Sequence, residues 1–138
     1  MNKTTEQARR VFQQDRYATD LTGIEISFVG EHESRCTLTV DDRHRNARGA
    51  VMGGALFTLA DFAAAVAANS EDIHEDAPLH WVSLDATIHY LSPSLGDRLE
   101  AVCIPLKTGR TTALYQTIIE SPDNGKRYAI VETTMIYV

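Results

Sequence analysis

From Ala55 to Ala68 the chain carries only two polar residues, Thr58 and Asp61. A helix that is apolar all round is one enclosed on all sides rather than laid on a surface. This stretch therefore predicts a buried helix from about Gly53 to Asn69 around which the remaining elements must be arranged. At 1.5 Å per residue it is roughly 25 Å long, the width of a small domain. Asp61 then faces a desolvation cost of several kcal/mol, on the order of that for any unpaired buried charge, unless it is paired or hydrogen-bonded. Desolvation also raises a carboxyl pKa towards the range useful to a base at neutral pH. Taken alone, Asp61 equally fits a structural carboxylate, satisfied by backbone N–H groups or by a contact across a dimer axis. Its neighbours favour chemistry. Gly49 precedes the helix and Gly53-Gly54 occupies its first turn, where N–H groups have no intrahelical acceptor. Glycine there lets a ligand oxygen approach the backbone and accept those N–H groups, as an oxyanion hole requires. A carboxylate and an oxyanion site on one helix point to acyl transfer or hydrolysis.

The rest of the chain reads as one helix and six strands. Ala8, Val11 and Phe12 recur at helical spacing between Thr4 and about Arg16, with Thr4 or Thr5 as a cap. Residues 1–20 are thus an amphipathic helix and lead-in to a single 1–138 domain. Ile24, Ile26 and Phe28 alternate with Glu25, Ser27 and Val29, and Cys36, Leu38 and Val40 with Arg35, Thr37 and Thr39. Both runs are half-buried strands joined around Gly30. Residues 41–48 form a charged loop. After the helix, strands are predicted through Leu84–Tyr90, Leu99–Leu106, Thr112–Glu120 and Arg127–Val138, with Pro105 marking a sheet edge or bulge. On this alternation Ser83, Asp85 and His89 share one face of their strand. One helix with two strands before it and four after is an α+β chain, an antiparallel sheet wrapped around a long central helix.

The totals exclude several classes. A net charge of −6 argues against a nucleic-acid binder. For an anionic ligand it requires basic residues to be concentrated locally. Cys36 and Cys103 lie in apolar runs without CxxC spacing and read as reduced core thiols of a cytoplasmic protein. The five histidines include no HExxH or similar pair, so no metal site is expected. The N-terminus has no apolar h-region, so no signal peptide is expected. The run Phe62–Ala68 is too short to cross a bilayer.

The run Asn46-x-x-Gly49-x-x-Met52-Gly53-Gly54, followed by Leu59-Ala60-Asp61, resembles the signature of hotdog-fold acyl-CoA thioesterases of the phenylacetate-degradation (PaaI-like) type. The resemblance continues through Val82-Ser83-Leu84-Asp85, Tyr90-Leu91-Ser92-Pro93 and Thr108-Gly109-Arg110-Thr111. Met52 stands where the family usually has histidine, a departure that bears on rate or substrate choice. The resemblance implies a hotdog fold and hydrolysis of an acyl-CoA thioester to free acid and coenzyme A. In that scheme Asp61 is the general base, or the nucleophile of an anhydride route. Asn46 holds the water, the Gly53 N–H polarises the carbonyl and Ser83 assists Asp61. Gly54 lies beside the ligand, and Tyr90, Leu91 and Ser92 contact the pantetheine arm. The turn Thr108, Gly109, Arg110 and Thr111, flanked by Lys107, supplies positive charge for the nucleotide tail. No cofactor is implied, coenzyme A being part of the substrate.

Helix geometry adds a subunit expectation. Gly53 and Asp61 lie about 12 Å apart along one helix, too far to serve one carbonyl. An antiparallel partner helix across a two-fold axis brings them together, predicting a homodimer or dimer of dimers with composite sites. Two other readings stay open at this point. One is a hydratase or dehydratase on the same fold, which would need a histidine paired with the acid. The other is a non-catalytic acyl-CoA-binding module.

Overall fold

The computed structural model describes residues 2–138. Residue 1 of the predicted 1–20 lead-in lies outside them. Helix α1 (Lys3–Phe12) is followed by a π-helical turn (Tyr17–Thr22) and the hairpin of β1 (Ile24–Gly30) and β2 (Glu33–Thr39). A short 3-10 turn (Asp42–His44) leads to α2 (Gly53–Ala68). Then come β3 (Trp81–Tyr90), β4 (Arg98–Thr108), β5 (Thr112–Glu120) and β6 (Arg127–Tyr137). The strands make one antiparallel sheet in the order β1-β2-β4-β5-β6-β3. The segment through α2 thus carries the chain from beside one edge of the sheet to the other.

α2 lies across the sheet and touches all six strands. Its alanines let the two backbones approach, so Leu56, Leu59, Phe62 and Val66 pack against Leu38, Leu99, Val131 and Met135 in one core. Enclosure on every side is corrected along one stripe. Gly54 and Asp61 are exposed and Thr58 and Ala65 half-buried, because one sheet covers only the side of the helix it faces. Asn69 fixes the exit from α2: its amide donates to the carbonyls of Ala65 (2.8 Å) and Trp81 (3.1 Å) and accepts from the Trp81 N–H (3.0 Å).

Two bulges overturn the simple alternation. In β1, Ile26 pairs with Cys36 but Phe28 with Arg35. Ser27 is the extra residue, and the phase flips so that Val29 is buried and Phe28 only half so. In β3, Ser83 pairs with Met135 but Asp85 with Thr134, leaving Leu84 as the extra residue. Ser83, Ala86, Ile88 and Tyr90 therefore share the helix-facing side with their β6 partners Met135, Thr133, Val131 and Ala129, and all four partners are buried. Asp85 and His89 do not share Ser83's face. A bulge re-aims side chains in this way. Pro105 in β4 meets the expectation of an edge or bulge in both respects: the register with β5 slips between Pro105 and Lys107, and the pairing with β2 has already ended at Cys103.

The cap of α1 is Asn2, whose side chain accepts from the Thr5 N–H (2.7 Å), rather than a threonine. Thr5 is buried and serves β1 instead, accepting from the Val29 N–H at 2.9 Å. Arg9 donates to the Ile26 carbonyl (2.7 Å) and Asn2 to that of Val29 (3.1 Å). α1 thus covers the outer edge of β1. Cys36 and Cys103 are free and buried, and burial pushes both thiols up, Cys103 to about 12. Among the described residues no helix is long and apolar enough to cross a membrane.

Candidate active site

The loop before α2 sets its N-terminus. His44 is buried; its Nδ1 accepts from the Asp41 N–H (2.9 Å) and its Nε2 faces the Thr22 carbonyl (2.6 Å). A single tautomer, with the proton on Nε2, satisfies both contacts. The His44 carbonyl then accepts from the Met52 N–H (2.8 Å). Asn46 closes the loop, its Oδ1 accepting from the N–H groups of Arg48 (2.9 Å) and Ala50 (3.1 Å). Gly49 has φ +85, a left-handed conformation that favours glycine. The Asn46 side-chain oxygen is therefore a turn former, and its amide N–H groups are what remain for a ligand.

Met52 is exposed and its carbonyl accepts the first helical bonds, from Ala55 (3.0 Å) and Leu56 (3.2 Å). The N–H groups of Gly53 and Gly54 find no acceptor among the described residues, as the first turn of a helix dictates. The two glycines differ in what holds them. A Cβ on Gly53 would meet the Tyr90 hydroxyl at 2.9 Å, and that hydroxyl donates to the Gly53 carbonyl at 3.1 Å. A Cβ on Gly54 would meet nothing within 4 Å.

Two turns along α2, Asp61 stands on the open stripe. Burial by the surrounding apolar atoms raises its carboxyl above the ordinary range, and a hydrogen bond from the Ser83 hydroxyl (3.3 Å) offsets part of that rise. It is the β3 bulge that aims Ser83 at this carboxylate. Asp61 lines a cavity of about 340 Å³ with Thr58, Phe62, Asp15 and Tyr17. Thr58 was visible as the other polar residue of the apolar run. Asp15 and Tyr17 were not, since no periodic or motif signal marks a short turn between elements.

The expected site residues fall into separate groups within one chain. Asp61 and Ser83 are together near the start of β3. Gly53 and Tyr90 are together at its far end, where Tyr90, Leu91 and Ser92 line a second cavity of about 450 Å³ with Asn46. The exposed turn Thr108–Thr111 lies at the opposite end of β3 from Leu91. The Thr111 carbonyl accepts from Tyr137, which pairs with Trp81, whereas Leu91 donates to Tyr128. Ser83 and Tyr90 are roughly 23 Å apart along the strand. Gly109 is required by its turn, a Cβ there falling 2.6 Å from the Thr112 carbonyl oxygen. Lys107 and Arg110 form no ion pair among the described residues. The residues best grouped for a metal ion, Glu31, His32 and Glu71 with ligand atoms within 4.8 Å of one another, lie beyond the C-terminal end of α2, away from Asp61.

A six-stranded antiparallel sheet wrapped on one long helix, with a carboxylate midway along the helix and bare N–H groups at its start, defines a hotdog-fold protein equipped for acyl chemistry. Residues 48–128 match the Thioesterase superfamily. The chain belongs to that superfamily and is a PaaI-like thioester hydrolase. It is 32% identical over 115 residues to the acyl-coenzyme A thioesterase PaaI of Escherichia coli K12, covering 83% of this chain and 77% of that one. It is 29% identical over 123 residues to a putative esterase of Deinococcus radiodurans, covering 89% and 80%. The solved structure of the E. coli PaaI protein from the phenylacetic acid degradation operon superposes with a TM-score of 0.83 at 26% identity, over 99% of this chain and 96% of that one.

Proposed function

We propose that the chain hydrolyses acyl-coenzyme A thioesters to a free carboxylic acid and coenzyme A, with Asp61 as general base. The observation that carries this reading is the Asp61 carboxylate, raised by its apolar surroundings, steadied by Ser83 and facing a cavity large enough for an acyl group. The Gly53 N–H polarises the thioester carbonyl, while a water held by the Asn46 amide loses a proton to Asp61 and attacks the carbonyl carbon. The oxyanion collapses, the C–S bond breaks, and the thiolate leaves with the proton that Asp61 had taken. The reaction so written calls for no metal or redox cofactor. Lys107 and Arg110 supply the local positive charge for the anionic end of the substrate.

The site is completed by a second copy of the chain. The groups separated in one chain meet if β3 pairs antiparallel with its own copy across a two-fold axis near the middle of the strand. Ser83 and Asp61 of one chain then approach Tyr90, Gly53 and Asn46 of the other, and the Thr108–Thr111 turn approaches the partner's Leu91 and Ser92 segment. Val82, Leu84, Tyr90 and Leu91, which are 44%, 57%, 55% and 51% exposed, are an apolar edge suited to that contact.

The test is thiol release over a panel of acyl-CoA esters with the wild type and Asp61→Asn. The variant should keep its fold, because position 61 stands exposed on the open stripe of α2 and the amide oxygen can still accept from the Ser83 hydroxyl, and fall at least about a hundredfold in kcat. A variant retaining more than about a tenth of wild-type kcat, a change of only ~1.4 kcal/mol, would make Asp61 structural.

A further inference from the structure

The turn between α1 and β1 carries none of the motif residues, yet it walls the cavity beside Asp61. That cavity is bounded on α2 by Phe57, Asp61 and Phe62 and on the turn by Asp15, Arg16 and Tyr17. Two carboxylates therefore enter a mainly apolar space. The cation there, Arg16, is drawn off: its Nε sits 2.6 Å from the Asp20 carboxylate, and its side chain is 80% exposed. Asp15 has no such partner. Its side chain makes no hydrogen bond or ion pair among the described residues, while its carbonyl, accepting from Thr19 at 2.9 Å, holds it on the turn. Both carboxylates line the same cavity, and burial, and then the charge of Asp61, push the Asp15 carboxyl above the ordinary range.

An acyl chain entering this cavity displaces water and lowers the local dielectric. An uncharged chain meets aromatic and aliphatic walls. A chain ending in a carboxylate brings a third negative charge to two that are already there, with no unpaired cation among the described residues that line the cavity. We infer that Asp15 is a specificity-determining residue that turns away acyl groups carrying a terminal carboxylate, so that the substrates are thioesters of uncharged acids. This rests on the thioesterase reading for the identity of the ligand.

Binding can be measured without turnover. Two non-hydrolysable thioethers of coenzyme A, S-butyl and S-(3-carboxypropyl), differ at the acyl end by a carboxylate. Calorimetry with the wild type should show the butyl compound binding about tenfold tighter, the size of a unit-charge repulsion at some 10 Å and an effective dielectric near 20. Asp15→Asn should cut that preference at least threefold by admitting the charged compound, and Asp15→Glu, which keeps the charge, should preserve it. Equal affinity of the wild type for the two thioethers, or an unchanged preference in Asp15→Asn, would overturn the inference. Butyryl-CoA hydrolysis by the same wild-type sample reports separately on the enzymatic reading. No hydrolysis with the charge preference intact would sink that reading alone, and hydrolysis with no preference would sink this one alone.

Discussion

The two edges of the sheet are treated in opposite ways. At β1, α1 lies along the outer side and three of its side chains engage the strand's backbone: Thr5 accepts from Val29, Arg9 donates to Ile26 and Asn2 to Val29. At β3 no element among the described residues covers the outer side, and apolar side chains stand exposed along it. An open strand edge is a template for pairing with another chain, and proteins ordinarily blunt it with charge, proline or a cover. This chain blunts one edge and leaves the other bare and greasy, and the bare edge is the one to which the proposal assigns a second copy.

The sharpest way to break that contrast is to blunt the bare edge. The double substitution Val82→Lys, Leu84→Lys should give a monomer by light scattering and lower kcat/KM at least about a hundredfold, since each site loses half its groups. A fully active monomer would place the whole site within one chain. At the covered edge Thr5→Val should act on stability alone. It strands the buried Val29 N–H at a cost of about 2 kcal/mol, or roughly thirtyfold in the folding equilibrium, read by urea unfolding corrected for protein concentration. A change in oligomeric state would show that the two edges are not independent.

Smaller effects sharpen the picture on the β3 side. Ser83→Ala removes the hydrogen bond that holds the Asp61 carboxyl down against burial. The base form should then appear only at higher pH, moving the acid limb of the kcat/KM profile upward. Activity below the limb should fall by about tenfold, with little change on the alkaline side. An unmoved limb would detach Ser83 from Asp61. Arg110→Ala should raise KM for acyl-CoA about threefold and spare kcat, because a contact far from the reacting carbon contributes equally to ground and transition states. An equal loss on a thioester lacking the nucleotide would count against a phosphate contact.

Long periodic signals were legible and single-residue insertions were not. The apolar run placed α2 within a residue of its observed end at Ala68, and the alternation from Thr112 to Glu120 matched β5. Ser27 and Leu84 each add one residue to a strand. Nothing in the composition announces such an addition, yet it reverses the facing of every side chain on one side of it. The faces of Val29 and Asp85 were misread for that reason. The open stripe on α2 escaped because glycine, threonine and alanine serve equally in a tight core and at an unfinished surface. Asp61 and Ser83 could be nominated from the motif, and helix rise alone already set Asp61 apart from Gly53; the placing of Ser83 beside Asp61 and of Tyr90 beside Gly53 is a property of strand register and direction.

The adjacent glycines at the head of α2 record two different kinds of constraint. Gly53 is held by its own chain, through the Tyr90 hydroxyl in the space where a Cβ would be. Above Gly54 that space is vacant, and glycine in a helix is the less stable choice by ~0.5–1 kcal/mol against alanine. Selection for a sturdier monomer would have no reason to leave position 54 bare. A library sorted by thermal resistance would let alanine drift in there, and one sorted by turnover would return glycine.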